Sequence, residues 1–120
     1  MASGSAATQG SRGGPAHKVC PHFHAAIELV GKRWSGAIIS ALDDGPRRFG
    51  ELCDSVPGVS DRLLSQRLRE LESAGVVERS VEGGSPVRVS YALTAKGDEL
   101  RPALRELHRW AQRWNHPPTS

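Results

Sequence analysis

The stretch FGELCDSVPGVSDRLLSQRLRELESAGVVERSVEGGSPVRVSYAL, Phe49 to Leu93, decides the fold. Inside it Ser60 stands before Asp61-Arg-Leu-Leu-Ser-Gln-Arg-Leu-Arg-Glu-Leu-Glu-Ser73, a run without Gly or Pro that Gly75 ends. Ser60 is a strong N-cap residue, because its hydroxyl can accept a free N–H of the first turn. Asp61 adds negative charge at the positive end of the helix dipole, and a glycine after the last turn is a common C-terminal stop. With successive residues turned by about 100°, Leu63, Leu64, Leu68 and Leu71 gather on one side. Arg62, Ser65, Gln66 and Arg69 gather on the other. The leucines predict a buried face and the polar set an outward one.

Working outward, Phe49-Gly-Glu-Leu-Cys-Asp-Ser-Val56 reads as a short helix whose inner stripe is Phe49, Leu52, Cys53 and Val56. Cys53 is read there as a small buried hydrophobe rather than a reactive thiol. After Gly75 the pattern turns strand-like from Val76 to Val81. Gly83-Gly84-Ser85-Pro86 is a strong turn signal, and Val87 to Leu93 alternates with period two. Short helix, turn, longer helix and hairpin is the layout of a winged helix-turn-helix, which places its second helix in the DNA major groove. The expected fold class is therefore α+β, mainly α. The recognition helix is expected at about 60–73 and the wing at about 76–93.

The outer face of the longer helix carries suitable chemistry. Arg and Gln can make two hydrogen bonds to one purine edge, and Ser can reach a base or a phosphate. Ser60, Arg62, Ser65, Gln66 and Arg69 are therefore candidate DNA contacts. Arg47 and Arg48 precede the short helix, where the first helix of such a motif crosses the phosphate backbone. Arg88, in the wing beside the Gly-Gly tip, is placed to follow a phosphate strand or reach a minor groove. The blander alternatives are a solvated surface helix and a solvated strand residue. Arg67 lies near the edge of the apolar side and is assigned to packing or ion pairing with a nearby Glu.

The chain of 120 residues has a formal net charge of +3, only mildly basic. Distribution says more than the sum, since Arg47, Arg48, Arg62, Arg67, Arg69, Arg79 and Arg88 all fall in the proposed DNA-binding half. That excess predicts salt-dependent phosphate binding. Residues 1–17 hold no Leu, Ile, Val or Phe, so they are expected to be a disordered tail without the apolar core of a signal peptide. A single domain is expected at 18–116, with a short tail at 117–120. No apolar segment approaches membrane-spanning length, no membrane partner is expected, and the expected location is the cytoplasm. Two distant cysteines do not suggest a disulfide scaffold.

Cys20-Pro21 opens a further helix, since Pro is favoured at the first helical position and Cys20 then takes the N-cap. Phe23, Ala26, Ile27 and Val30 form its stripe, and Gly31 ends it. A second helix carries Trp34, Ala37, Ile38, Ala41 and Leu42, closed by Asp43-Asp44-Gly45-Pro46. The last helix, about 94–114, bears the apolar stripe Leu100, Ala103, Leu104, Leu107, Trp110, Ala111 and Trp114, with Pro102 expected to kink or restart it. One small domain cannot easily cover two tryptophans near a chain end. A homodimer through Phe23, Ile27, Leu104, Leu107, Trp110 and Trp114 is therefore expected; the alternative is that both indoles fold back on their own core.

These residues resemble the HxlR-type family of bacterial transcriptional regulators, a branch of the winged-helix proteins akin to MarR. The matching pieces begin with Cys20-Pro21, Gly31-Lys32-Arg33-Trp34, Gly45 to Leu52 and Pro57 to Ser60. They continue with Leu64 to Glu72, Gly75 to Arg79, Pro86 to Tyr91 and Leu93 to Gly97, in order across about residues 20–114. The resemblance implies a homodimer on an operator of two-fold character, with the helix after Ser60 reading the DNA and transcription, such as repression, as the output. It also implies that Cys20 matches a cysteine with which some members sense electrophiles or oxidants. The wing tip Glu82-Gly83-Gly84-Ser85 departs from the usual Pro-rich tip of the family.

The position of Cys20 adds an argument of its own, since the positive end of a helix dipole favours an anion and Lys18, His22 and His24 lie nearby. Redox or electrophile sensing by Cys20 is one reading; capping or interface packing is the other. Cys20 and His24 are four residues apart, but a closed zinc site needs four ligands and His22 points to another side, so no metal is expected. No cofactor is expected, and no Ser-His-Asp order, Walker loop, dinucleotide glycine motif or HExxH points to an enzyme. Two rivals to the DNA-reading regulator are a regulator controlled by a small-molecule ligand held between the dimerisation helices and the core, and a winged-helix module that binds protein.

Overall fold

The longer helix is built by its caps. Ser60 Oγ accepts the Leu63 N–H at 3.1 Å and closes the first turn. At the other end Val76 N–H donates to Leu71 O at 2.9 Å and Gly75 N–H to Glu72 O at 3.0 Å. This pair of bonds reverses the chain through Gly75, whose φ of 79° is a left-handed conformation that glycine adopts without a Cβ clash.

Around it the computed structural model describes residues 17–114. The elements are α1 (Pro21–Gly31), α2 (Ser35–Ala41), β1 (Arg47–Arg48), α3 (Phe49–Ser55), α4 (Asp61–Ser73), β2 (Val77–Glu82), β3 (Arg88–Leu93) and α5 (Ala95–Trp114). The expected terminal tails, His17 apart, lie outside the described residues. The three strands form one antiparallel sheet in the order β1-β3-β2. Five helices and a small sheet give the expected mainly helical winged helix-turn-helix.

The core joins Ile38, Ile39 and Leu42 at α2, Leu52 and Val56 at α3, Leu64, Leu68 and Leu71 on α4, and Val76 and Val77 entering β2. Each such side chain contributes about 1.5–3 kcal/mol by leaving water, so α2, α3 and α4 are held by burial. No residue of α1 is fully buried. Only Leu29 and Val30, at its end, pack partly against this core.

Three features differ from the sequence reading. Arg47 and Arg48, expected simply to precede α3, are themselves a strand, pairing with Tyr91 and Ser90 of β3. Trp34 precedes α2 rather than belonging to it, and has a left-handed backbone with φ of 78°. Helix α5 runs continuously through Pro102 rather than restarting there. Its cap is Thr94, whose Oγ1 accepts the Gly97 N–H at 3.1 Å. Leu104, expected at a subunit interface, is half-buried against the core of its own chain, because α5 still lies over that core at this turn, and its remaining surface is open.

Candidate nucleic-acid interface

The core-facing leucines of α4 leave Arg62, Gln66 and Arg69 exposed and Ser65 half-buried along the opposite side. Arg69 Nη1 donates to Ser65 Oγ at 3.0 Å, so the guanidinium lies back along the helix toward its N-terminal half. Gln66 reaches Glu70 at 3.5 Å. Arg67 lies on another face, only 14% exposed, with Nη1 3.2 Å from Glu70 Oε1. Its Nε donates to Arg33 O at 2.9 Å. Together with Lys32, whose Nζ lies 3.2 Å from Glu70 Oε2, it ties α4 to the connection between α1 and α2.

Among the described residues, the salt bridges sort the arginines. Arg67, Arg101, Arg105 and Arg109 each meet a carboxylate. Arg47, Arg48, Arg62, Arg69, Arg79 and Arg88 meet none within 4 Å. Arg67, Arg101 and Arg105 tie helices to neighbouring segments, Arg109 pairs within α5, and Arg33 and Arg113 lie over the Trp34 and Trp114 rings; the set around α4 leaves its charge free for an outside anion.

Within that free set, Arg48 is exposed and fixed by its backbone, its N–H donating to Glu51 Oε1 at 2.8 Å. The Arg47 guanidinium turns to Pro46 O at 3.0 Å. Arg88 begins β3 opposite Glu82 and is exposed. Ser60 has its hydroxyl engaged as the α4 cap, so a nucleic-acid contact would have to share it. The sequence reading counted Arg79 in the basic excess without giving it a contact and left out Tyr91; both line a notch between α4 and the sheet together with Ser65 and Arg69. Their signal was available in the period of two, which puts Arg79 on the face of Val77.

The two thiols have different surroundings. Cys20 is exposed and occupies the N-cap position of α1 in extended backbone, with no capping bond from its side chain. Cys53 is half-buried, and its Sγ donates to Asp61 Oδ1 at 3.3 Å. Burial pushes the Cys53 thiol up, and the Asp61 carboxylate pushes it further, so it stays protonated. His24 faces Glu28 at 3.6 Å.

Phe23 and Ile27 on α1, and Leu107, Trp110 and Trp114 on α5, are exposed, from 49% for Ile27 and Trp110 to 68% for Trp114. A separate apolar groove of about 630 Å³ lies between α1 and the start of α5, against Leu29, Val30, Val76 and Leu100. No described helix is long and apolar enough to cross a membrane.

A family profile described as HxlR-like helix-turn-helix matches residues 29–119. The HTH-type transcriptional regulator YodB of Bacillus subtilis (strain 168) is 43% identical over 99 residues, spanning 82% of this chain and 88% of its own. The solved reduced form of YodB superposes with a TM-score of 0.75 at 42% identity, covering 85% of this chain and all of that one. YodB has also been solved after diamide treatment and with quinone bound. The redox regulator HypR in its oxidised form superposes with a TM-score of 0.76 at 32% identity, covering 82% of this chain and all of that one.

Proposed function

The chain belongs to the HxlR-like helix-turn-helix family of transcriptional regulators, and from that premise we propose that it works in the cytoplasm as a homodimer reading a two-fold DNA operator. Arg62, Ser65, Gln66 and Arg69 are assigned to base edges and neighbouring phosphates, and Arg47, Arg48 and Arg88 to the backbone. The observation that carries this reading is the cluster of Arg47, Arg48, Arg62, Arg69, Arg79 and Arg88 on and around α4 without carboxylate partners, whereas Arg67, Arg101, Arg105 and Arg109 are paired and Arg33 and Arg113 lie over tryptophan rings. Two recognition helices related by a two-fold axis reach half-sites about 34 Å apart.

The test is selection of bound sequences from a random duplex pool at near-physiological salt. An enriched two-fold site supports the reading. Salt-sensitive binding without enrichment reduces the protein to a nonspecific DNA binder, and absence of binding moves the assignment to a protein-interaction module.

We further assign the signal to Cys20, an exposed thiol at a helix N-terminus in a chain similar to proteins solved after diamide treatment or with quinone bound. Addition of an electrophile to the Cys20 sulfur, or oxidation by diamide of the two Cys20 thiols of a dimer to one disulfide with both hydrogens passing to diamide, would alter α1 and the dimer it helps to build. Cys20→Ser is expected to abolish the effect of diamide and quinones on operator binding. A wild-type response in that variant would remove Cys20 from the signal path. The apolar groove against Leu29, Val30 and Leu100 favours a second reading, a small-molecule effector. A ligand-dependent rise in melting temperature that survives Cys20→Ser would select it.

A further inference from the structure

A winged helix that reads a major groove with one element and follows a minor groove with another must let a phosphate strand pass between the two, because the strand is what separates the grooves. In this molecule the space between those elements is a notch of about 400 Å³ between α4 and the sheet, lined by Ser65, Leu68, Arg69, Glu72, Arg79 and Tyr91. The sheet side is set by register. Tyr91 of β3 lies directly opposite Arg79 of β2 and Arg47 of β1, so the three share one face of the sheet. That face continues into Val77 and Leu93, which pack in or against the core. Arg79 and Tyr91 thus stand where the inner face of the sheet leaves the core and meets the outer face of α4.

The electrostatics agree with an anion there. Arg69 and Arg79 line the notch from its two sides, and neither meets a carboxylate within 4 Å among the described residues, although Glu72 lines the same notch. An arginine beside a carboxylate that it does not bind is available for another anion. The Tyr91 hydroxyl adds a neutral donor of the kind that contacts phosphate oxygens.

We propose that Arg79 and Tyr91, with Arg69 across the notch, hold one backbone phosphate of the strand running between the groove read by α4 and the groove under the wing. This assignment rests on the operator-binding reading above and adds a contact that fixes the wing relative to α4. It positions the protein on DNA and carries no base preference.

Arg79→Gln, Arg79→Lys and Tyr91→Phe, each in the full chain, would be titrated onto the selected duplex and onto a scrambled one across a range of salt. Arg79→Gln is expected to weaken both duplexes by the same factor, about tenfold. It should also flatten the slope of log K against log salt by about two, one for each subunit of the dimer. Arg79→Lys should keep the slope, because it keeps the charge. Tyr91→Phe should weaken both duplexes alike without changing it. Replacing symmetry-related pairs of phosphates of the selected duplex by uncharged methylphosphonates should reveal one such position, between major-groove contacts and the wing in each half-site, at which wild type and Arg79→Gln bind equally. A purely structural Arg79 would show no such position. An unchanged slope in Arg79→Gln while wild type still binds its selected site would overturn the contact and leave operator binding standing. Failure of wild type to bind duplex DNA would instead remove the parent reading, and the contact with it.

Discussion

Gly97 is where α5 meets the entry to β2. A Cβ built on it would lie 2.2 Å from Val76 O and 3.2 Å from Leu93 Cδ2. The obstacle is backbone, and that carbonyl is fixed by the Thr94 N–H at 3.0 Å, so the contact cannot relax by a rotamer change. Alanine in a helix interior is favoured over glycine by about 1 kcal/mol, whereas forced overpacking costs about 1–3 kcal/mol; overpacking wins here. Gly97→Ala is expected to lower the thermal unfolding midpoint. Gly50→Ala in α3, where nothing lies within 4 Å of the added carbon, should hold or raise it. The neighbouring pair Leu68 and Arg69 separates stability from recognition in the same way. Leu68 is buried and Arg69 exposed. Leu68→Ala should cost about 2–5 kcal/mol of folding stability. Arg69→Ala should leave the denaturation midpoint in place and cost about 1–3 kcal/mol of operator binding; a uniform loss on all sequences would match the phosphate contact across the notch alone, and an added relaxation of preference at one base position would show that Arg69 also reads a base edge.

Between elements, the tie from α2 to α5 is ionic. Asp43, just after α2, accepts from Arg101 Nε and lies 3.8 Å from Arg105. The Arg101 hydrogen bond, reinforced by the charges of Arg101 and Arg105, holds the Asp43 carboxyl below its ordinary value of 3.8. A carboxyl that binds its proton less readily when folded adds stability above the pKa of the unfolded chain and loses it as pH falls through the lower folded value. Asp43→Asn should therefore melt below wild type at neutral pH, and the gap should begin to narrow near about pH 4 and close only as pH falls through the lower folded value. The pair is about one-third exposed, so its effect is of the size of a surface ion pair, up to about 1 kcal/mol. Such ties between distant positions were not legible in the sequence. Elements specified by neighbours along the chain were: α4 with Ser60 and Gly75, the hairpin with its Gly-rich tip, and α1 from Cys20-Pro21. Strand β1 was missed because two arginines carry no alternation, and they are extended only through pairing with Tyr91 and Ser90. The turn at Trp34 was missed because a left-handed tryptophan has no sequence signal. An apolar stripe shows which residues avoid water, not whether their own core or a partner covers them, and Leu104 is half-covered by its own. For the candidate site, spacing separated the outer face of α4 from its leucines, whereas the approach of Arg79 and Tyr91 to that face required the fold.

At the scale of the molecule, burial is uneven. Helix α5 has 20 residues, about 30 Å at the usual rise. Leu100 and Leu104 pack against the core, while Leu107, Trp110 and Trp114 continue the stripe into solvent. Helix α1 leaves Phe23 and Ile27 equally uncovered. Two exposed apolar stripes on the first and last described helices are what a two-fold interface would cover, and a stable interface of standard size takes about 800 Å² from each partner. The consequence for DNA is one of linkage. Joining two half-site readers makes the second contact intramolecular and raises affinity by about 10²–10⁴ without adding any contact to the bases. Trp110→Ala combined with Trp114→Ala is therefore expected to sediment as monomer at micromolar concentration, with α4 and its contacts intact. Its affinity for a duplex carrying one half-site should match that of wild type. Its affinity for the full two-fold site should fall by that same 10²–10⁴, to the half-site level. A double variant that stays dimeric would place the interface elsewhere. One that becomes monomeric yet keeps full-site affinity would mean that the second half-site is not read through the dimer.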